Sequence, residues 1–320
     1  MPLDRHAKRI LQMLAAGSNG AQGPFELEAV RKSMLELAQA LDPRDLAPVA
    51  SVDHGVPGAD GVLLLRQYLP AAHPAAGPGL LYLHGGIGVF GSVVTHDALC
   101  RMLCADGGLV VLSLEYRLAP EHPFPAGLED AVCAADWALR QAARLALDPR
   151  RLAIGGDSAG ATLAAVVCQL ARDRGAPAPA AQLLLCPVTD PSGTLASRSE
   201  FGDGYFMSRA LLDWGLDQVY PPGVDRHDPR VAPLRAADLS RLPPAIVHTA
   251  EFDPFRDEGA AYAQALGAAG VAARYVCHAG LIHHYYGMAG GIPAARQAVR
   301  QSAQELRELL DGLDHADAPA

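Results

Sequence analysis

The sequence is short of aromatic residues, at 6%, and short of positive charge, with 26 Lys and Arg against 35 Asp and Glu. A net charge of -9 and a pI near 5.7 argue against a phosphate-binding surface, so no nucleic-acid partner is expected. No hydrophobic run approaches the length that a membrane span needs, and the charged first nine residues are followed by no apolar signal segment. A cytoplasmic location is the expectation that follows. There are six cysteines but no Cys-x-x-Cys pair, so they read as small apolar fillers in a reducing compartment. Histidine-glutamate metalloprotease spacing is missing as well, and the pair His283-His284 has no carboxylate at ligand spacing. No metal and no cofactor are therefore expected.

What is abundant is apolar residues, at 50%, enough for one large core in a single α/β domain of 320 residues. Apolar residues recur at three and four over Leu3–Ala15 and Glu26–Ala40, which predicts two amphipathic helices. Val49–Val56 and Val62–Tyr68 read as strands joined by a Pro57-to-Gly61 turn. Strands and helices then alternate. Strands are predicted at Leu80–Leu83, Leu109–Leu114, Leu152–Gly155, Gln182–Cys186, Ala245–Thr249 and Val271–Cys277. Helices are predicted at Gly127–Leu145, Ser158–Arg172, Asp257–Ala269 and Pro293–Leu310. Continuous apolar strands between amphipathic helices imply a mostly parallel sheet covered on both faces.

Residues 188–241 break this rhythm, with one convincing helix at Tyr205–Tyr220. An insertion of that length between sheet strands is usually functional. The expected organisation is N-terminal cap helices over 1–48, a core over 49–187 and 242–311, a cap insertion over 188–241 and a flexible tail over 312–320.

The sharpest motif is Gly156-Asp157-Ser158-Ala159-Gly160, placed between a predicted strand and a predicted helix. A serine on that tight turn stands clear of the sheet, and the helix N-terminus beneath it favours a developing oxyanion. A plain glycine turn is the competing reading. A nucleophilic serine needs a base, and the base an orienting acid. Asp253 follows one later strand and His283 the next, in the order such a sheet requires. Asp257 and Glu258 begin a helix and are better read as compensating its dipole, and His284 competes with His283. His6, His54, His73, His227 and His315 read as surface residues. After Leu80–Leu83 comes His84-Gly85-Gly86-Ile87-Gly88-Val89-Phe90-Gly91, a glycine-rich turn able to aim N–H groups at an ester carbonyl alongside that of Ala159.

The same loop offers a rival. Gly86-x-Gly88-x-x-Gly91, with Glu115 at the end of the next strand, matches a dinucleotide fingerprint and would suit an NAD-dependent oxidoreductase. That reading leaves the serine, acid and histidine unexplained. A binding protein that kept the fold and lost catalysis is a third reading, which predicts a broken constellation.

Together with Tyr116-Arg117-Leu118-Ala119-Pro120-Glu121, these blocks make residues 80–293 resemble the hormone-sensitive-lipase-like carboxylesterases of the α/β-hydrolase fold. The resemblance implies an eight-stranded sheet with strand 2 antiparallel, flanked by helices under a helical cap. It also implies short- to medium-chain acyl esters as substrates, no cofactor, and the homodimer that is frequent in the family. By it Ser158 is the nucleophile, Asp253 the acid and His283 the base, with Gly85, Gly86, Ile87 and Ala159 forming the oxyanion hole. Two departures stand out. Ile87 and Gly88 occupy the places of a third glycine and a bulky aromatic, so Gly88 is expected to open the substrate pocket and Ile87 to refill part of it. Ala161-Thr162 follows the serine turn where Gly-Asn is commoner.

Overall fold

A computed structural model describes residues 1–17 and 24–316. Two helices, α1 (Arg5–Gly17) and α2 (Leu27–Leu41), precede the strands β1 (Ala50–Pro57), β2 (Val62–Leu69) and β3 (Gly77–Leu83). Next come α3 (Asp97–Gly107), β4 (Val110–Leu114), α4 (Ala126–Arg140), β5 (Leu147–Asp157), α5 (Ala159–Asp173) and β6 (Gln182–Leu185). Residues 186–244 carry a short α6 (Ala196–Glu200) and α7 (Arg209–Val219). The chain ends with β7 (Ala245–Phe252), α8 (Arg256–Ala268), β8 (Ala273–Ile282) and α9 (Pro293–Ala316).

The strands form one eight-stranded sheet in the order β1-β2-β4-β3-β5-β6-β7-β8. Strand β2 runs antiparallel to both β1 and β4, and the pairs from β4 through β8 are parallel. Strands β3, β4 and β6 are buried along their whole length, which is why they read as unbroken apolar runs rather than alternating ones. One face of the sheet is packed by α4, α5 and α8, and the other by α3 and α9. A third apolar cluster joins Ile87, Val89 and Phe90 after β3 to Leu212 and Leu216 of α7, with Val30 and Met34 of α2 against it. No described helix is long and apolar enough to cross a membrane.

Several boundaries differ from expectation. Helix α3 was not anticipated; seven of its eleven residues are buried, so its sequence carries little polar punctuation. The helix expected over Gly127–Leu145 stops at Arg140, and a 3-10 turn over Ala142–Leu145 follows. The helix expected over Tyr205–Tyr220 begins only at Arg209, because Phe206 has φ +80° and Ser208 caps the first turn by accepting the Leu211 N–H at 3.1 Å. Helix α9 continues past Leu310 to Ala316, so the tail expected from Gly312 begins as helix; residues 317–320 lie outside the described residues.

Candidate active site

Strand β5 ends at Asp157 and α5 starts at Ala159, leaving Ser158 alone at the turn with φ +51° and ψ -119°. That conformation is sparsely populated for a residue with a Cβ and persists only where its surroundings enforce it. They do so here: the Ser158 N–H donates to the Leu185 carbonyl at 2.8 Å, and its own carbonyl accepts the Thr162 N–H at 3.1 Å. Gly156 and Gly160 let the turn lie directly on β3, since a Cβ on either would overlap the Leu83 carbonyl. Thr162, at one of the two unusual positions after the serine, spends its hydroxyl on the Val188 carbonyl at 2.5 Å and so ties α5 to the start of the insertion.

Asp253 and His283 sit beyond the C-terminal ends of β7 and β8, both buried. His283 Nδ1 lies 2.9 Å from Asp253 Oδ2, and Asp253 Oδ1 accepts the Phe255 N–H at 2.7 Å. His283 and Ser158 line one cleft of about 630 Å3. The competing histidine, His284, is stacked on Phe206 at 5.2 Å in a left-handed conformation, and burial lowers its pKa to about 3. Among the described residues no carboxylate forms an ion pair with its ring, although the charge of Asp157 acts on it from nearby.

Cys186 is also close. Its thiol, the Asp253 carboxylate and the His283 ring offer atoms within 4.8 Å of one another, the one such metal-capable group among the described residues. Burial and the neighbouring Asp253 push the Cys186 thiol well above its ordinary pKa.

The glycine-rich loop after β3 folds tightly on itself, with the Val89 and Phe90 N–H groups both donating to the Gly86 carbonyl at 2.9 and 3.0 Å. Gly86, Ile87 and Gly88 have φ of +119°, +60° and +84°. Ile87 thus holds a left-handed conformation that is costly for a β-branched residue. Among the described residues, the Gly86 and Ile87 N–H groups donate to no protein acceptor. The space expected above Gly88 is partly taken: a Cβ there would lie 3.1 Å from Val219 Cγ2 of α7. Gly88 does line a second cleft of about 770 Å3, which also reaches Ser158 and Ala159. No helix starts at Gly91; the next one begins at Asp97, so the dinucleotide reading lacks the helix N-terminus that holds a pyrophosphate. Glu115 instead accepts the Val93 N–H at 2.7 Å.

Beneath the loop is a network that the motifs did not reveal. Asp157 Oδ1 accepts from the Tyr82 hydroxyl at 2.6 Å and from the Gly85 N–H at 3.0 Å, and stands 3.2 Å from His96 Nε2. Burial opposes the charge on Asp157, but His96 and the hydrogen bonds from His96 and Tyr82 hold its carboxyl well below the usual range. Burial likewise opposes the charge on His96, and the Asp157 carboxylate more than offsets it, raising the pKa. His84 stacks on Tyr116 at 4.3 Å, its carbonyl accepts the Tyr116 hydroxyl at 2.6 Å, and burial lowers its pKa to about 3. From the N-terminal side, Arg31 of α2 donates to the Val89 and Ala119 carbonyls at 3.0 and 3.2 Å and pairs with Glu121 at 2.7 Å.

Asp257 and Glu258 do more than face a helix dipole. Asp257 accepts the Ser197 N–H at 2.9 Å, and buried Glu258 pairs with Arg198, so together they fasten α6 to α8. Of the histidines read as surface residues, His73 and His227 are exposed, whereas His6 and His54 are half-buried; the side chain of His315 lies outside the described residues.

Residues 80–287 match the model of a family with the alpha/beta hydrolase fold. The carboxylic ester hydrolase LipN of Mycobacterium tuberculosis is 44% identical over 262 residues, 80% of this chain and 69% of that protein. The ethyl acetate hydrolase of Pseudomonas putida is 37% identical over 311 residues, covering 96% of this chain and 95% of its own. Among solved structures, an ester hydrolase from the metagenome of Lake Arreo, bound to a bipyridine phosphonate derivative, superposes with a TM-score of 0.91 at 38% identity. It covers 96% of this chain and 98% of that one. An esterase of Pyrobaculum calidifontis gives 0.88 at 37% identity, over 96% and 99% of the two chains. The chain belongs to the α/β-hydrolase fold family, in its hormone-sensitive-lipase-like carboxylesterase branch, and is an ester hydrolase.

Proposed function

We propose that the chain hydrolyses short- to medium-chain acyl esters through an acyl-enzyme on Ser158. The observation that carries this is the convergence of His283, held by Asp253 at 2.9 Å, with Ser158 on one cleft. In this reading His283 takes the Ser158 proton as Oγ attacks the ester carbonyl. The tetrahedral oxyanion is received by the Gly86, Ile87 and Ala159 N–H groups, with Gly85 as the close-packed residue that lets the loop approach. The imidazolium then donates its proton to the departing alkoxide, and the alcohol leaves. Water, deprotonated by the same histidine, attacks the acyl-enzyme and releases the carboxylate and Ser158. Asp253 fixes the imidazole tautomer and supports its charge throughout.

The leaving oxygen must lie next to His283, so the alcohol portion faces the cleft that His283 lines, and the acyl chain enters the other. That acyl cleft is apolar, walled by Leu212, Leu216 and Val188. Helices α2 and α7 act as the cap that closes both clefts over the sheet edge. The test is a panel of p-nitrophenyl esters from acetate to dodecanoate, assayed with the intact chain and with Ser158→Ala. Turnover concentrated on the shorter chains, falling by more than about a hundredfold in the variant at unchanged Tm, is the expected result. Retained turnover would remove the role of this serine.

A further inference from the structure

Two clefts meet at Ser158, and among the described residues Ile87 is the one other residue that lines both. Its side chain is 6% exposed and stands between them. Across from it on α7 is Gly215, inside the helix and without a positive φ that would call for glycine. The reason for a glycine there is contact: a Cβ on Gly215 would lie 2.8 Å from Ile87 Cγ2 and 3.2 Å from its Cδ1. Leu212 and Leu216, flanking that gap on α7, pack in the same cluster as Ile87. A left-handed conformation that a β-branched residue rarely adopts is thus matched by a hole on the facing helix that receives its side chain.

We propose that Ile87 is the specificity-determining residue of this site, a partition between the acyl and alcohol clefts that is keyed into the gap at Gly215. The assignment of the two clefts rests on the esterase mechanism proposed above. A branch next to the scissile carbonyl meets this partition, so esters branched there are selected against, and linear ones pass on either side. Filling the gap at Gly215 displaces Ile87 and with it the loop that carries two oxyanion donors.

The experiment is a double-mutant cycle on the full chain with Ile87→Gly, Gly215→Ala and the pair, read by both Tm and kcat/KM. The substrates are p-nitrophenyl acetate and p-nitrophenyl pivalate. Both use the same oxyanion hole, so a change in hole geometry cancels in their ratio. Ile87→Gly is expected to raise the pivalate-to-acetate ratio by about tenfold or more, since even one methylene in a pocket discriminates by that much. Gly215→Ala is expected to lower Tm by about 2 °C or more in the parent, and to leave it unchanged or raise it beside Ile87→Gly, where the alanine has room. An unchanged ratio, or equal Tm effects of Gly215→Ala in the two backgrounds, would overturn the proposal. Were the parent to hydrolyse no ester, the mechanism would fall while the Tm cycle still reported on the Ile87–Gly215 contact.

Discussion

Replacing Asp157 by Asn tests whether the buried carboxylate beneath the glycine loop holds that loop in place. The side chain is 1% exposed, and its Oδ1 receives Tyr82, Gly85 and the ring of His96. Asparagine keeps the shape and one carbonyl oxygen, so the bonds from Tyr82 and Gly85 survive in weaker, uncharged form. The pairing with His96 does not survive, and burial then drives His96 neutral. A hydrogen bond to a charged group contributes about 1.5–3 kcal/mol, and this is the loss expected. For a chain of this length, about 2 °C per kcal/mol gives a Tm lowered by about 3–6 °C. The pH dependence has a definite sign. His96 has its pKa raised in the folded state, so its contribution is complete below the unfolded value of about 6.5 and fades as pH rises through the folded value. Asp157 has its pKa lowered, so its contribution is present above the unfolded carboxylate value and is lost only in strong acid. The gap in Tm between parent and variant should therefore be wider at pH 6 than at pH 9. Because Gly85 leads into the proposed oxyanion donors, kcat should also fall, by less than the roughly 100- to 1000-fold that follows removal of a donor itself. Thermal melts across that pH range with parallel turnover measurements decide the matter. Equal melts and equal kcat would refute the anchoring role, and a Tm gap that does not vary with pH would refute the ion pair.

The proposed acid and its neighbour should separate cleanly. Asp253→Asn should cut kcat by about four orders of magnitude at nearly constant Tm, whereas Asp257→Asn, which loosens Ser197 and Arg256, should lower Tm and spare kcat; similar kcat losses would contradict the assignment. His283→Ala should abolish turnover and His284→Ala only weaken it, because among the described residues no carboxylate forms an ion pair with the His284 ring, and burial lowers its pKa to about 3; the reverse pattern in steady-state assays would move the base by one residue. Arg31→Ala should release α2 from the Val89 and Ala119 carbonyls, raising KM more than it lowers kcat and lowering Tm by a few degrees; a kcat effect without a KM effect would place the arginine outside the proposed cap.

The middle of the sheet was legible because strands such as Val110–Leu114 and Gln182–Leu185 are buried along their whole length and therefore appear as short apolar runs bounded by turns. The turn at Ser158 was legible for a different reason, since only small residues fit where Gly156 and Gly160 press on β3. Helix α3 escaped because burial of residues such as Leu99, Cys100, Leu103 and Cys104 erases the polar face that reveals an amphipathic helix. Strand β5 was predicted too short because the polar residues Asp148, Arg150 and Arg151 precede the apolar run that begins at Leu152, although the chain remains extended back to Leu147. The start of α7 was marked after all: Ser208 ahead of an apolar run is a cap signal that outweighs the aromatic residues before it. His96 and Asp157 come from elements far apart in sequence, and no local spacing announces that they will meet under the Gly85 N–H. Nor does any pattern in the chain connect Ile87 with the missing side chain at Gly215, since that match exists only once α7 lies across the loop.

The central claim is that Ser158 forms the covalent intermediate, and the most direct measurement is labelling with a p-nitrophenyl alkylphosphonate followed by intact-mass and peptide analysis. The account predicts one phosphonyl group per chain, release of one equivalent of p-nitrophenolate, loss of esterase activity in step with labelling, and the adduct on the peptide carrying Ser158. Labelling of a different residue, or full inhibition without an adduct on Ser158, would contradict it.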